Sequence, residues 1–154
     1  MLVLGAGLGS ALYVLERLKN RIPVTLVDLD PTVIAWGQEL LPPDLKARST
    51  WFQADARVFA ETHQQQYDVL VIDIFQDRLV PAFVTSPGFL AACRRLLAGP
   101  QSYLVLNYII NNDSAWEQAQ AAIGSIYQLE KIISLGLNQV LIARLKISAS
   151  QPLM

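Results

Sequence analysis

At 154 residues the chain is sized for one domain. Its formal net charge of -1 and the lack of any basic cluster do not suit nucleic acid as a main partner. The apolar fraction is high at 53%, yet no run reaches the roughly 18–20 apolar residues of a membrane span, and a parallel sheet covered on both faces accounts for such a composition.

In chain order, Leu2-Val3-Leu4 predicts a strand over 1–4. Gly5-Ala6-Gly7-Leu8-Gly9 follows at once. Glycines there let the backbone turn sharply from strand into helix and let a ligand approach closely. A helix over 8–20 is expected next, with Leu8, Leu12, Leu15 and Leu18 on one stripe. Its free N–H groups would point at whatever is bound. The full dinucleotide pattern would need another glycine where Ser10 stands. The shorter pattern fits an adenosine-containing ligand without a pyrophosphate better than NAD.

Val24-Thr25-Leu26-Val27 reads as a second strand, over 24–27, ending in Asp28. Asp28 stands at roughly the 20-residue offset of an acid that holds ribose hydroxyls in nucleotide-binding βαβ units. Asp30 and Pro31 then start a helix as N-cap and first-turn residue. It carries Val33, Ile34, Leu40 and Leu41 and stops before Pro42-Pro43. A third strand is expected over 50–54, followed by a short helical turn after Asp55 that holds Val58 and Phe59.

The fourth strand spans 67–72 and ends in Asp73, with Asp68 read as structural. After a loop through Pro81, Ser86-Pro87 opens a helix closed by Gly99-Pro100, a glycine just past the helix and then a proline. Cys93, the lone cysteine, falls on its apolar face with Phe89, Leu90, Leu96 and Leu97 and is read as core. One cysteine excludes an internal disulfide and a cysteine-rich metal site. The single histidine, His63, sits in a polar stretch read as a solvated connection, so no metal ligand set emerges.

A fifth strand spans 103–108, where Asn107 and Tyr108 could line an acceptor pocket by position. Ser114 to Glu117 reads as the capping box of a helix with Trp116, Ala119, Ile123 and Ile126 inward. Strand-like runs over 129–134 and 140–145, joined at Gly136-Leu137-Asn138, predict a hairpin. Trp36, Trp51 and Trp116 are read as packing residues. Met1 leads into the first strand with no basic segment, so no signal peptide and a cytoplasmic location are expected.

Five β–α repeats and a hairpin define the expected fold. It is α/β and Rossmann-like, a doubly wound, mostly parallel sheet of seven strands with a terminal antiparallel hairpin, over 1–147, followed by a tail over 148–154. Ligands in such sheets bind beyond the carboxyl ends of the strands. The glycine loop and Asp28, Asp55 and Asp73 all stand at those ends and form one rim.

The segments Leu2 to Gly9, Val24 to Pro31, Asp55-Ala56-Arg57, Tyr67 to Asp73 and Pro81 to Phe89 resemble the class I S-adenosylmethionine-dependent methyltransferase superfamily, in its spermidine synthase-like branch. The resemblance covers nearly the whole chain. It implies that Gly5, Ala6, Gly7 and Gly9 meet the amino-acid and ribose parts of the ligand and that Asp28 takes both ribose hydroxyls. It also implies that Leu29 packs on the adenine, that Asp55 accepts the adenine amino group, and that the Ala56 amide faces a ring nitrogen. Asp73 matches the aspartate that helps deprotonate an attacking amine.

Three departures stand beside the resemblance. Spermidine synthases carry an aspartate in the glycine loop where Leu8 stands here, their motif after strand four is one residue shorter and includes a proline, and they have a further N-terminal domain. The ligand is therefore expected to be S-adenosylmethionine or its decarboxylated form, with no metal. A methyltransferase with an unidentified small-molecule acceptor, a spermidine synthase-like aminopropyltransferase and a non-catalytic nucleoside-binding scaffold remain open, with an NAD-dependent oxidoreductase behind them. Only the 76–85 loop is available to cover an acceptor, so a homodimer that closes the site is expected.

Overall fold

The computed structural model describes residues 1–146, so the expected tail lies outside the described residues. Seven strands form one sheet: β1 (Leu2–Leu4), β2 (Val24–Asp28), β3 (Ser49–Gln53), β4 (Val69–Ile72), β5 (Tyr103–Ile109), β6 (Tyr127–Leu135) and β7 (Asn138–Leu145). Their order is β3-β2-β1-β4-β5-β7-β6. The first five strands pair in parallel, β7 runs antiparallel to β5, and β6 pairs antiparallel with β7. The expected doubly wound sheet with a terminal hairpin is what the chain forms.

Among the described residues six helices connect or flank these strands: α1 (Ser10–Arg17), α2 (Pro31–Leu40), α3 (Pro43–Lys46), α4 (Ala56–Thr62), α5 (Pro87–Arg95) and α6 (Asp113–Ile126), with a 3-10 turn at Ala82–Thr85. One apolar cluster joins Leu2, Leu4, Val27, Leu70 and Ile72 to α4, α5 and α6. The other joins Val3, Leu12 and Leu26 to Leu41 and Leu45. β1, buried throughout, feeds both layers because successive strand residues point to opposite faces. Strand order reverses between β1 and β4, and the crevice where such folds take ligands opens there. Among the described residues no helix is long and apolar enough to cross a membrane.

Several boundaries differ from expectation for local reasons. The first helix is shorter than 8–20, and Leu8 and Leu18 are exposed rather than on its buried stripe. It ends in a Schellman arrangement: the Lys19 amide donates to Glu16 O at 2.9 Å and the Asn20 amide to Leu15 O at 2.8 Å. Lys19 takes the left-handed conformation, φ 56°, that glycine usually fills at this position. The helix opened by Ser86 ends at Arg95, short of Gly99. Gly99 instead begins the turn into β5, its amide donating to Ser102 Oγ at 3.1 Å.

The N-cap of α6 is Asn112, whose Oδ1 accepts from the Ala115 amide at 3.2 Å, so the Ser114–Glu117 capping box does not form. Tyr67 precedes β4 and bridges only to Leu97. The hairpin turns tightly, pairing Leu135 with Asn138 around Gly136 at φ 67°. Leu40 and Val58 face solvent, whereas Ile34, Leu41 and Phe59 are buried. Trp36 is exposed too, against the packing role expected of it.

Candidate functional site

The glycine loop turns on three positive φ angles, 88° at Gly5, 51° at Gly7 and 78° at Gly9. Gly5 and Ala6 donate their amides to the carbonyl of Val27 at 2.9 and 3.0 Å, which seats the loop on β2. Gly5 must also lack a side chain, because a Cβ there would come within 2.7 Å of the Asp73 carbonyl carbon. Gly7 has open space where a Cβ would be and faces the cleft. Gly9 does not line the cleft; it packs under Trp51.

Asp28 ends β2 and holds two loops together. Its Oδ2 accepts from the Gly7 amide and its Oδ1 from the Asp30 amide, both at 3.1 Å. Each carboxylate oxygen has further acceptor capacity. Asp30 caps α2, accepting from the Thr32 amide at 2.8 Å, in the role expected of it.

Asp55 ends the β3 connection and caps α4, its Oδ1 accepting from the Arg57 amide at 2.8 Å. The Arg57 guanidinium also folds back, Nη2 donating to Asp55 Oδ2 at 2.6 Å. This pairing holds the Asp55 carboxyl below its usual range and raises the guanidinium further. The same guanidinium lies 4.9 Å from the ring centre of Phe83, a cation–π contact. It ties the Asp55 side of the rim to the segment after β4.

Asp73 follows β4, its amide donating to Leu4 O at 2.8 Å. Asn107 Nδ2 donates to Asp73 Oδ1 at 2.9 Å. The Asn107 Oδ1 is buried without a partner among the described residues. Turning the amide over would put oxygen against oxygen, so the donor must face Asp73. Asp73 Oδ2 makes no hydrogen bond among the described residues and remains available.

These elements enclose a cleft of about 770 Å³, within the range of small-molecule sites. Gly5, Ala6, Gly7, Asp28, Leu29, Asp55, Ala56 and Asp73 all line it. Leu29 presents an exposed apolar side chain, 66% accessible. Ser10, Val33, Arg57, Phe75, Gln76 and Phe83, to which the sequence motifs assign no ligand contact, also line the wall. Arg57 had a signal, a basic residue two positions after a capping aspartate. The loop residues had none, because periodicity does not reach irregular backbone. Three carboxylates against one guanidinium leave the wall negative. A second depression, of about 480 Å³, adjoins the cleft at Pro81.

Elsewhere, Cys93 is wholly buried and its thiol is pushed up to about 12 by burial, so it is core as expected. His63 is not simply solvated. Its ring stacks on Phe59 at 4.2 Å between centroids, and its Nε2 lies 2.9 Å from Tyr67 Oη. Tyr67 in turn donates to Thr25 Oγ1 at 3.2 Å. Among the described residues no group of three or more His, Cys, Asp or Glu is placed to hold a metal ion.

No protein-family model and no curated protein sequence matches the chain. Solved structures do. Human methyltransferase-like protein 13 in complex with SAH is similar over 99% of this chain and 73% of that one, with a TM-score of 0.76 at 20% identity. A probable spermidine synthase from Corynebacterium glutamicum is similar over 93% of this chain, with a TM-score of 0.79 at 22% identity. The chain spans 55% of that protein's length. Fibrillarin from Aeropyrum pernix with natively bound S-adenosyl-L-methionine gives a TM-score of 0.71 at 13% identity, over 92% of this chain and 64% of that one.

The fold is that of the class I methyltransferases. The spermidine synthase likeness lies within the same architecture, so the family resemblance read from the motifs holds at the level of fold.

Proposed function

We propose that the protein is an S-adenosylmethionine-dependent transferase, most simply a methyltransferase acting on a small molecule. The observation that carries this reading is the convergence of the glycine loop, Asp28, Asp55 and Asp73 on one negative cleft at the β1/β4 switch point. The residues fit the donor. Gly7 leaves open space beside the loop, Asp28 has lone pairs for a ribose diol, and Leu29 and Val33 offer an apolar wall for adenine. Asp55, already paired with Arg57, presents its remaining acceptor capacity to the adenine amino group, beside the Ala56 amide.

When bound, the donor supplies an electrophilic carbon on a positively charged sulfur. The chain contributes position and charge. The carboxylates favour a cationic ligand over a neutral one. Asp73 Oδ2 accepts the acceptor's proton, while Asn107 fixes the other oxygen and thereby the direction of the free one. Alignment of an already nucleophilic acceptor supplies much of the remaining rate, so the lack of a catalytic His or Cys is no obstacle.

Aminopropyl transfer from the decarboxylated donor is the second reading, favoured by the same negative wall and by the likeness to a spermidine synthase. Against it, Leu8 places an exposed apolar side chain in the glycine loop where that donor's ammonium would need an acid. The proposal includes a cytoplasmic location and a homodimer that covers the open acceptor side. Light scattering at high protein concentration tests the dimer, and a strictly monomeric mass counts against it.

Transfer itself is tested by incubating the protein with methyl-labelled S-adenosylmethionine and a library of small-molecule acceptors. Asp73→Asn neutralises one of the three wall carboxylates, so it should weaken donor binding by no more than about tenfold and remove transfer to any acceptor found. Undiminished transfer by that variant would remove Asp73 from the chemistry.

A further inference from the structure

The depression beside the donor cleft carries a statement about the acceptor. Its wall comes from Val80 to Ala82 and Thr85 on one side, Tyr108 on β5, and Ala115, Gln118 and Ala122 on α6. We propose that it is the acceptor subsite and that it selects an uncharged, partly aromatic small molecule. This rests on the transferase reading given above.

Four observations carry it. First, about 480 Å³ is room for a ring and its substituents. Second, the wall holds no Asp, Glu, Lys, Arg or His side chain, so an ammonium or carboxylate entering it would lose hydration and find no counter-charge. Third, the apolar part of the wall suits a flat ring: Pro81 and three alanines line the space together with Tyr108, whose own ring packs on Trp116 with centroids 5.0 Å apart. Fourth, unused polar atoms remain to orient a hydroxyl or ring nitrogen. Tyr108 Oη makes no hydrogen bond among the described residues, and Gln118 uses only its Nε2, toward Ser114 Oγ at 3.4 Å.

The subsite also adjoins the donor cleft, since Pro81 lines both spaces. Asn111 Nδ2 donates to Arg78 O at 3.2 Å, so the segment that forms one wall is tied to the β5–α6 connection that carries the other. A polyamine, with a charge at each amine, does not match this lining.

Three probes of one shape and different charge test the inference: benzyl alcohol, benzylamine and benzoate. Saturation-transfer NMR on the full chain with S-adenosylhomocysteine present gives their relative affinities. Benzyl alcohol should bind about tenfold more tightly than either charged analogue. Ala115→Trp, at an exposed position in the first turn of α6, should abolish its signal while leaving S-adenosylhomocysteine affinity unchanged. Gln118→Glu should reverse the preference toward benzylamine. Benzylamine or benzoate binding wild type as well as the alcohol does, no binding of the alcohol, or a signal that survives Ala115→Trp would each overturn the assignment. If S-adenosylhomocysteine fails to bind while benzyl alcohol keeps its preference, the transferase reading falls and the charge selection of the pocket stands.

Discussion

Gly5 and Asp73 meet so closely that a Cβ on Gly5 would lie 2.7 Å from the Asp73 carbonyl carbon and nearer still to its oxygen. The first residue of the ligand loop and the candidate base are thus packed backbone to backbone, at the point where strand order reverses. Gly5 also holds φ 88°. Gly5→Ala should therefore cost more than about 2 kcal/mol through combined strain and clash, and should weaken donor binding by displacing Asp73. Urea denaturation reads the first effect and calorimetry the second. A loss below about 0.5 kcal/mol would show that the two segments separate easily.

Asp28 joins the glycine loop to the start of α2 through both of its oxygens. Asp28→Asn keeps the shape and one acceptor oxygen but loses the charge. Affinity for S-adenosylhomocysteine should fall by about 1–3 kcal/mol, roughly 5- to 150-fold. Titration well below the variant's own urea midpoint separates lost contact from lost fold. Unchanged affinity would sink the ribose role of Asp28.

Lys19 closes α1 at φ 56° with no glycine to ease it. Lys19→Gly should stabilise the protein by about 0.5–1 kcal/mol, since a side chain in the left-handed region is strained and glycine is not. A lower urea midpoint for the variant would contradict the assigned helix end.

Two acid-side transitions are separable by residue. Burial against Phe59 and Tyr67 holds the His63 imidazole below its usual 6.5. The unfolded chain takes that proton more readily, so His63 contributes fully above pH 6.5 and its contribution is lost as pH falls from there through the folded value. Asp55 is also depressed, by Arg57, from 3.8. Its contribution is present above 3.8 and is lost as pH falls through its lower folded value. Urea midpoints should decline between about pH 7 and pH 5 in wild type, and His63→Gln should flatten that slope. An equal slope in the variant would assign the decline elsewhere.

Much of the site was legible because it depends on short-range rules. Glycines after an apolar run and aspartates after apolar runs mark strand ends, and strand ends of a parallel sheet converge on one rim. The rim residues Gly5, Gly7, Asp28, Asp55 and Asp73 were therefore readable, and so was the hairpin. Lys19 hid the end of α1, because its left-handed turn, at an exposed position, carries no glycine signal. Asn112 outcompeted Ser114 as the cap of α6, a choice between two good capping residues that local sequence does not decide. The Asn107–Asp73 bond joins two strands 34 positions apart, and only the β4–β5 register brings them together. Gly9 matched the motif but packs on Trp51, showing that a glycine pattern serves the fold as well as the ligand.

The most direct measurement is calorimetric titration of the purified, folded chain with S-adenosylmethionine, its decarboxylated form, S-adenosylhomocysteine and NADH. The account predicts one site per chain for S-adenosylmethionine and S-adenosylhomocysteine, weaker binding of the decarboxylated form, no heat with NADH, and loss of affinity in Asp28→Asn. Preference for the decarboxylated form would move the reading to aminopropyl transfer. Binding of none of the adenosyl ligands, or preference for NADH, would contradict the assignment of the cleft.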